Sequence, residues 1–358
     1  MDYETIRKII DAAIRAPSGE NCQPWRFVFR DGIIFQYNIP ERDRSPYNYR
    51  QYGSFVSHGA VIENITIAAN AMGYEASPKL FPEGQESDCV ASIAFLKSDD
   101  AGASAALYPS IFSRASNRTK YDPRHSLSPE EKAALMDAAR DRPAGGKLSL
   151  VDDPGMVKII AGSLSYGDAL LFMSRNVHDF LFSHIYWTSQ SAHTHNSGFY
   201  VKELALTPPQ EFIFKMLRSE RIRALFSTIG FPKMAAKDNA RLYERSSALG
   251  GIIISESDPE HYVEAGRLLE RVWLTADRLG YDMQLITAIP FFMQRIAAGA
   301  AVEDFSPQQQ DHIKTSYETL SQGFHAENGT VALAFRIGKG ERISYRSLRM
   351  PPTVTEQS

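Results

Sequence analysis

A stretch of sixteen residues occurs twice in this chain. Gly59–Tyr74 can be laid on Gly266–Tyr281 with the same Gly, Glu, Ala, Gly and Tyr, and at five further positions one aliphatic residue or Met replaces another. A second pair, Ile9–Ala13 with Pro17 against Leu135–Ala139 with Pro143, repeats the pattern. Amphipathic helices can match by composition alone, but two matches in the same order read as a duplicated unit. The first pair is offset by 207 residues and the second by 126, so the second copy carries an insertion of roughly 81 residues, expected between about Tyr166 and Leu249. It holds Phe180, Phe182, Tyr186, Trp187, Phe199 and Tyr200, a polar run from Thr188 to Ser197, and Pro208-Pro209. A long excursion between core elements is typically a lid or a binding surface.

The elements around the repeats are mixed. Ile6, Ile9, Ile10, Ala13 and Ile14 fall on one helical face, stopped by Ala16-Pro17-Ser18-Gly19. Phe27–Phe29 and Ile33–Ile39 flank Arg30-Asp31-Gly32, a hairpin signal. Long helices are expected over 53–73 and 260–280, and strands over 90–96, 148–151, 251–255 and 331–337, with a connector at 97–104. Ser128-Pro129-Glu130-Glu131 can start a helix by a capping box with Pro in the first turn. Interleaved helices and strands mean α/β or α+β.

Composition narrows the partners. Among 358 residues, 39 Lys and Arg stand against 42 Asp and Glu, which disfavours a polyanion such as nucleic acid. Two cysteines, Cys22 and Cys89, cannot build a disulfide framework or a multi-thiolate metal site, and a reducing cytoplasm fits. No signal peptide and no membrane span are expected. His193-x-His195 lacks a carboxylate or thiolate at ligand spacing, so no metal is expected. Gly162–Gly167 is not a nucleophile elbow, and Gly338-Lys339-Gly340 lacks the third glycine of a dinucleotide fingerprint. Trp187 and Trp273 are expected in the core rather than on a cofactor.

Two constellations can carry chemistry. Ala16–Trp25 sets Ser18, Asn21 and Gln23 on a Pro/Gly-shaped turn, which suits either close approach to a ligand or a helix stop before a buried Trp. Arg114 and Arg118 flank Ser116, so the segment can hold a dianionic phosphate or an anionic ring edge, or form a solvated basic loop.

Arg114-x-Ser116-x-Arg118-x-x-Tyr121 followed by a capped helix ending in Ala138-Ala139, together with Ala16-Pro-Ser-x-x-Asn-x-Gln-Pro-Trp25, resembles the FMN-dependent nitroreductase superfamily. The chain is most similar to its tandem-repeat, Acg-like branch, over roughly Ile6 to Pro351. The resemblance implies an α+β fold of two fused repeats, each a mainly antiparallel sheet flanked by helices, forming an intramolecular pseudo-dimer. The repeats would be 1–104, truncated, and 105–351, with the lid-like insertion at about 166–249 and a tail at 352–358. Read from Met1, the first copy has no room upstream for an Arg-x-Ser motif. The second shows Ala144 and Lys147 where the first has Ser18 and Asn21. One composite flavin pocket per chain follows.

By the same resemblance, Arg114 and Ser116 address the FMN phosphate and ribityl chain, and Arg118 the N1/O2 edge of the ring. Pro17, Ser18, Asn21 and Gln23 approach from the other repeat. Thr287 and Ala288 offer backbone N–H groups to N5/O4, although some members carry an acidic residue at the position of Thr287. Arg346 and Arg349 either complete the phosphate site or form a basic tail. No side chain is expected to act as catalyst, because the flavin carries the chemistry: hydride from NADH or NADPH passes to a small electron-poor acceptor, a nitroaromatic or quinone. Two other readings stay open: a lidded FMN store or sensor with little turnover, and a flavin-free interaction module. Expected partners exclude nucleic acid and membrane, and the chain is either a monomeric pseudo-dimer or a higher homo-oligomer.

Overall fold

Helix α1 (Tyr3–Ala13) is capped by Asp2, whose carboxylate accepts from Thr5 N at 2.8 Å, and buries Ile6, Ile9 and Ile10. Strands β1 (Trp25–Arg30) and β2 (Ile33–Asn38) follow as an antiparallel hairpin, turned by Asp31 at φ 51 and Gly32 at φ 77. Two positive φ values in a two-residue turn match the twist of the strands they join, hence Asp-Gly. Helix α2 (Tyr52–Ala71) leads to β3 (Tyr74–Leu80) and β4 (Cys89–Lys97). This computed structural model describes residues 1–98, 102–140, 146–300 and 304–356. Pro143, Ala144 and part of the 97–104 connector lie outside the described residues.

The short α3 (Tyr108–Ser113) precedes a second set of elements: α4 (Pro129–Arg140), β5 (Lys147–Val151), then an excursion. That excursion comprises α5 (Pro154–Met173), α6 (Arg175–Ser183), β6 (Ile185–Tyr186), α7 (Ser189–His195), β7 (Phe199–Tyr200), α8 (Pro208–Met216), α9 (Glu220–Thr228) and α10 (Phe231–Tyr243). The set resumes with β8 (Ala248–Ile254), α11 (Pro259–Arg278), β9 (Asp282–Leu285), α12 (Ala288–Ala297), α13 (Pro307–Gly323) and β10 (Thr330–Gly338), and the chain ends in β11 (Val354–Glu356). The capping box at α4 forms both ways: Glu131 N donates to Ser128 Oγ at 3.2 Å and Ser128 N to Glu131 Oε2 at 2.8 Å.

One sheet has the order β11-β1-β2-β4-β3 and a second β5-β8-β10-β9, while β6 and β7 pair in parallel as a separate two-stranded ladder. Leaving β11 aside, each of the two sheets follows the order first, second, fourth, third, with every neighbouring pair antiparallel. In each set a long helix, α2 or α11, joins the second strand to the third. The two helices pack on each other at the centre, where Tyr52 and Tyr262 stack at 4.1 Å between ring centroids. The fold is therefore α+β with two antiparallel sheets, and one hydrophobic core runs through both sets. A second core lies under α5, α12 and α13.

The excursion occupies 152–247, in place of the two-residue turn between β1 and β2. It therefore begins directly after β5 and not near Tyr166, which lies within α5. Helix offsets measure only net length, and the longer 39–51 connection of the first set masks part of the excursion. The expected buried strand at 90–96 is buried up to Ile93, apart from the half-buried Ser92; from Ala94 onward it is exposed except for the half-buried Phe95. Residues 354–356, expected in a tail, instead pair in parallel with β1. Among the described residues, α5 alone is long and apolar enough to cross a membrane by length and composition; half of it is buried, and it packs under the second sheet.

Candidate functional site

A cavity of about 360 Å³ lies in the seam between the two sets of elements. This falls in the range of small-molecule sites. Asn21 and Ser116 both line it, as do Pro17, Ser18, Arg114, Arg118, Thr287, Ala288, Arg346 and Arg349. Of the residues singled out from sequence, only Gln23 lies off its wall.

The turn after α1 reaches this wall through strained backbone. Glu20, Asn21 and Gln23 have φ of 42, 55 and 51, a left-handed region that costs non-glycine residues energy and persists only where surroundings enforce it. Gln23 supplies much of the enforcement. It is 1% exposed, its Nε2 donates to Asn196 O at 2.8 Å and Asn21 O at 3.1 Å, and its Oε1 accepts from Met350 N at 2.8 Å. It is a structural tie, because a long amide beside three buried backbone groups satisfies them rather than a ligand. Asn21 also braces the C-terminal arm, with Nδ2 donating to Leu348 O at 2.9 Å and Oδ1 accepting from Arg349 at 2.9 Å.

Residues 114–118 run extended beside β9: Ser116 bridges Met283, and Asn117 N donates to Met283 O at 3.0 Å. In extended chain alternate residues share a face. Arg114, Ser116 and Arg118 accordingly line the cavity, while Asn117 turns away to donate to Glu341 O at 2.9 Å. The Arg114 side chain lies over Trp273, 4.8 Å from the ring centroid, and its Nε is 3.3 Å from Glu270 Oε1. Trp273 is 1% exposed, a core residue as expected, and it also supports this arginine. Trp187 is only half-buried, within the excursion.

In the cavity wall Arg114 and Arg349 both donate to the Arg15 carbonyl, Arg349 lies near the Arg114 and Arg15 charges, and Arg346, which donates to Phe112 O at 3.0 Å, lines the same cavity. Arg349 donates to the carbonyls of Ile14 at 2.8 Å, Arg15 at 3.0 Å and Ala16 at 3.2 Å, where the C-terminus of α1 presents unpaired acceptors. Burial, and then repulsion from Arg114 and Arg15, hold its pKa down to about 9. The fully buried Glu270 offsets part of this charge. A further anion would relieve the rest, so the residues present fit a phosphate group.

Beyond the arginines the wall is acidic. Glu20 is pushed up to about 8 by burial and by Asp43, with Arg118 opposing. Burial raises Asp43 and takes Asp168 up to about 6, against a hydrogen bond from Tyr243 OH at 2.9 Å. Arg118 is lowered by burial, lies 4.9 Å from the Phe199 ring centroid and reaches Glu203 O at 3.4 Å. Thr287 and Ala288 open α12, whose first-turn N–H groups have no acceptor within the helix. The excursion thus supplies Asp168, Phe199, Glu203 and Tyr243 to the wall. His193 and His195 are turned back onto carbonyls of their own helix, Ser189 O at 2.7 Å and Ser191 O at 2.9 Å.

Sequence reasoning missed Arg15, Glu20, Asp43, Tyr47 and Asp168. Arg15 carried a signal, a cation in the last turn of α1 beside the Pro-Ser string. Glu20 stood inside that string at a variable position. Asp43, Tyr47 and Asp168 reach the cavity only through tertiary folding.

No protein-family model matches the chain. An uncharacterized protein of Mycobacterium tuberculosis is 25% identical over 285 residues, 80% of this chain and 39% of that protein. "Putative NAD(P)H nitroreductase acg" of the same organism is 31% identical over 96 residues, 27% of this chain and 29% of that protein. The chain thus spans well under half the length of these relatives. Among solved structures, a nitroreductase with bound FMN from Bacteroides fragilis has a TM-score of 0.36 at 11% identity, covering 68% of this chain and 94% of that one. An FMN-dependent nitroreductase from Mycobacterium smegmatis in complex with NADPH has a TM-score of 0.35 at 11% identity, covering 68% and 95%. The chain is a sequence relative of proteins named as NAD(P)H nitroreductases, the kinship its motifs imply.

Proposed function

We propose that this relative of the nitroreductases is a cytoplasmic FMN-binding oxidoreductase, built from two halves of a duplicated unit that hold one flavin in their shared seam. The observation that carries this reading is the lining of the cavity by Arg15, Arg114, Arg346 and Arg349, with Arg349 held down to about 9 by burial and its neighbours. A dianionic phosphate beside these arginines is stabilised by charge-assisted bonds. Arg114, Arg346 and Arg349 would hold the phosphate and Ser116 the ribityl chain.

Bound there, FMN would supply two-electron hydride chemistry between NADH or NADPH and an electron-poor nitroaromatic or quinone. The chain contributes orientation and electrostatics. Arg118 would supply a fixed cation to the edge of a bound ring, and the N–H groups at Thr287 and Ala288, at the start of α12, would be its donors. Ser18 Oγ accepts from Gln23 N at 3.0 Å and its hydroxyl hydrogen-bonds the buried Cys22 thiol, which fixes the turn at the cavity wall. Phe199 and Glu203 cover Arg118 and keep water from it.

The purified protein should be yellow and should bind FMN at least 100-fold more tightly than riboflavin, which lacks the phosphate. Equal affinity would remove the phosphate site and this reading with it. Anaerobic NADPH should bleach the flavin rapidly; indifference would mean that the excursion closes the cavity and the protein stores flavin.

A further inference from the structure

Glu20 stands in the seam cavity in a state that packing alone does not explain. Its backbone is left-handed at φ 42, inside the single turn Gly19–Asn21, and this conformation directs a carboxyl into the cavity wall. Among the described residues that carboxyl makes no hydrogen bond and no ion pair. A solvent-facing glutamate would relax to an ordinary conformation at no cost. Here the strain is held by Gln23 and by the C-terminal arm, whose Met350 N and Arg349 lock the turn from behind.

The surrounding groups decide the protonation state. Asp43, on the loop after β2, faces Glu20 and repels a second negative charge. It is itself occupied by Ser45 N at 3.2 Å and Ser54 Oγ at 3.3 Å. Arg118 on the extended segment attracts the carboxylate more weakly than burial and Asp43 disfavour it. Cys22 and Tyr47 also feel the charge, and Asp168 of α5 and Glu203 after β7 line the same cavity. Two carboxyl groups in one enclosure cannot both ionise cheaply.

We propose that Glu20, whose carboxyl stands in the cavity wall on the turn Gly19–Asn21, is the proton donor of this cavity and protonates the bound acceptor. A quinone that gains a hydride from the reduced nicotinamide–flavin couple is left as a hydroquinone monoanion. The Glu20 O–H bond then breaks, its proton forms the second phenolic O–H, and solvent returns a proton to the carboxylate. A nitro group reduced to nitroso takes one proton in the same way, with loss of water. The hydride source rests on the function proposed above; the protonated carboxyl does not.

Infrared spectroscopy of the protein, with glutamate carrying a ¹³C label in its carboxyl group, tests the proton without cofactor or activity. The wild type should show a labelled C=O stretch of a protonated acid that disappears as pH rises through about 8, and Glu20→Gln should lack it. Absence of that band in the wild type at pH 7 would overturn the proposal whether or not the variant folds. In the flavin-loaded protein, Glu20→Gln should slow quinone reduction ten- to a hundredfold and leave reduction of ferricyanide, which needs no proton, unchanged. Equal loss with both acceptors would mean that Glu20 only shapes the turn, and no loss with either would also overturn the proposal. A chain that shows the band but binds no FMN would sink the flavin reading and leave the buried acid standing.

Discussion

Gly59 of α2 and Gly266 of α11 meet where the two central helices cross. A Cβ built on Gly59 would lie 1.9 Å from the Val263 carbonyl oxygen, and one on Gly266 would lie 2.0 Å from that of Val56. These are the glycines that open the repeated sixteen-residue stretch. Their identity in both copies has one physical cause, backbone contact between equivalent helices.

Gly59→Ala and Gly266→Ala should each destabilise the fold by 3 kcal/mol or more, since overpacking against backbone cannot be relieved by a rotamer change, where ordinary overpacking costs about 1 to 3 kcal/mol. Gly162→Ala, with nothing within 4 Å of the new methyl in α5, should instead stabilise by roughly 0.5 to 1 kcal/mol. Urea denaturation of the three variants checks both signs. Equal effects would mean that the helices do not cross here.

Arg114→Met should weaken FMN binding by about 1.5 to 3 kcal/mol, the size of a charged hydrogen bond, whereas Arg124→Ala should leave it unchanged. Arg124 is 86% exposed and, among the described residues, pairs with Asp122. The Met variant also leaves Glu270 buried and alone, which costs about 3 to 5 kcal/mol of stability. Adding Glu270→Gln should recover much of that stability but none of the binding. Calorimetric titration with FMN, alongside thermal melts, separates the two effects.

Gln23→Leu should cost roughly 2 to 4 kcal/mol, because the Asn196 and Asn21 carbonyls and the Met350 N–H lose a shared partner. Limited proteolysis should then cut the arm at 341–353 sooner than in the wild type. Unchanged protection would show that β11 alone holds the arm.

His58 is fully buried, accepting at Nδ1 from Gln36 Nε2 at 2.6 Å and donating from Nε2 to Asn38 Oδ1 at 3.1 Å. Burial holds its pKa down to about 3. The folded pKa lies below the unfolded one of about 6.5, so the unfolded state takes up the proton first as pH falls. Stability should be fully present above pH 6.5 and fall between there and pH 3 by up to about 1.4 kcal/mol per pH unit. His58→Gln should flatten that part of the curve, read by chemical denaturation at successive pH values.

Much of this architecture was legible where signals are local. The Ile6–Ile10 face gave α1, Asp31-Gly32 the hairpin, Ser128 with Glu131 the start of α4, and the repeated glycines the central helix pair. Strand β3 escaped because it is an edge strand broken in pattern by Pro78, β9 because it has four residues, and β11 because the strand it pairs with, β1, lies more than three hundred residues earlier. Within the site the residue types could be read but not their directions. Nothing in the string from Pro17 to Trp25 tells that Gln23 faces inward and Glu20 toward the cavity, since that depends on the left-handed backbone of Glu20, Asn21 and Gln23.

The parallel pairing of β11 with β1 also bears on how the molecule is made. On the ribosome, the first hairpin emerges with one edge bare and stays so until residues 354–356 follow; Arg349, which closes the last turn of α1, arrives just as late. The cavity can be completed only after residues 354–356 have been synthesised. Any small molecule it holds must be captured after that point, because a shorter nascent chain has no place to keep it.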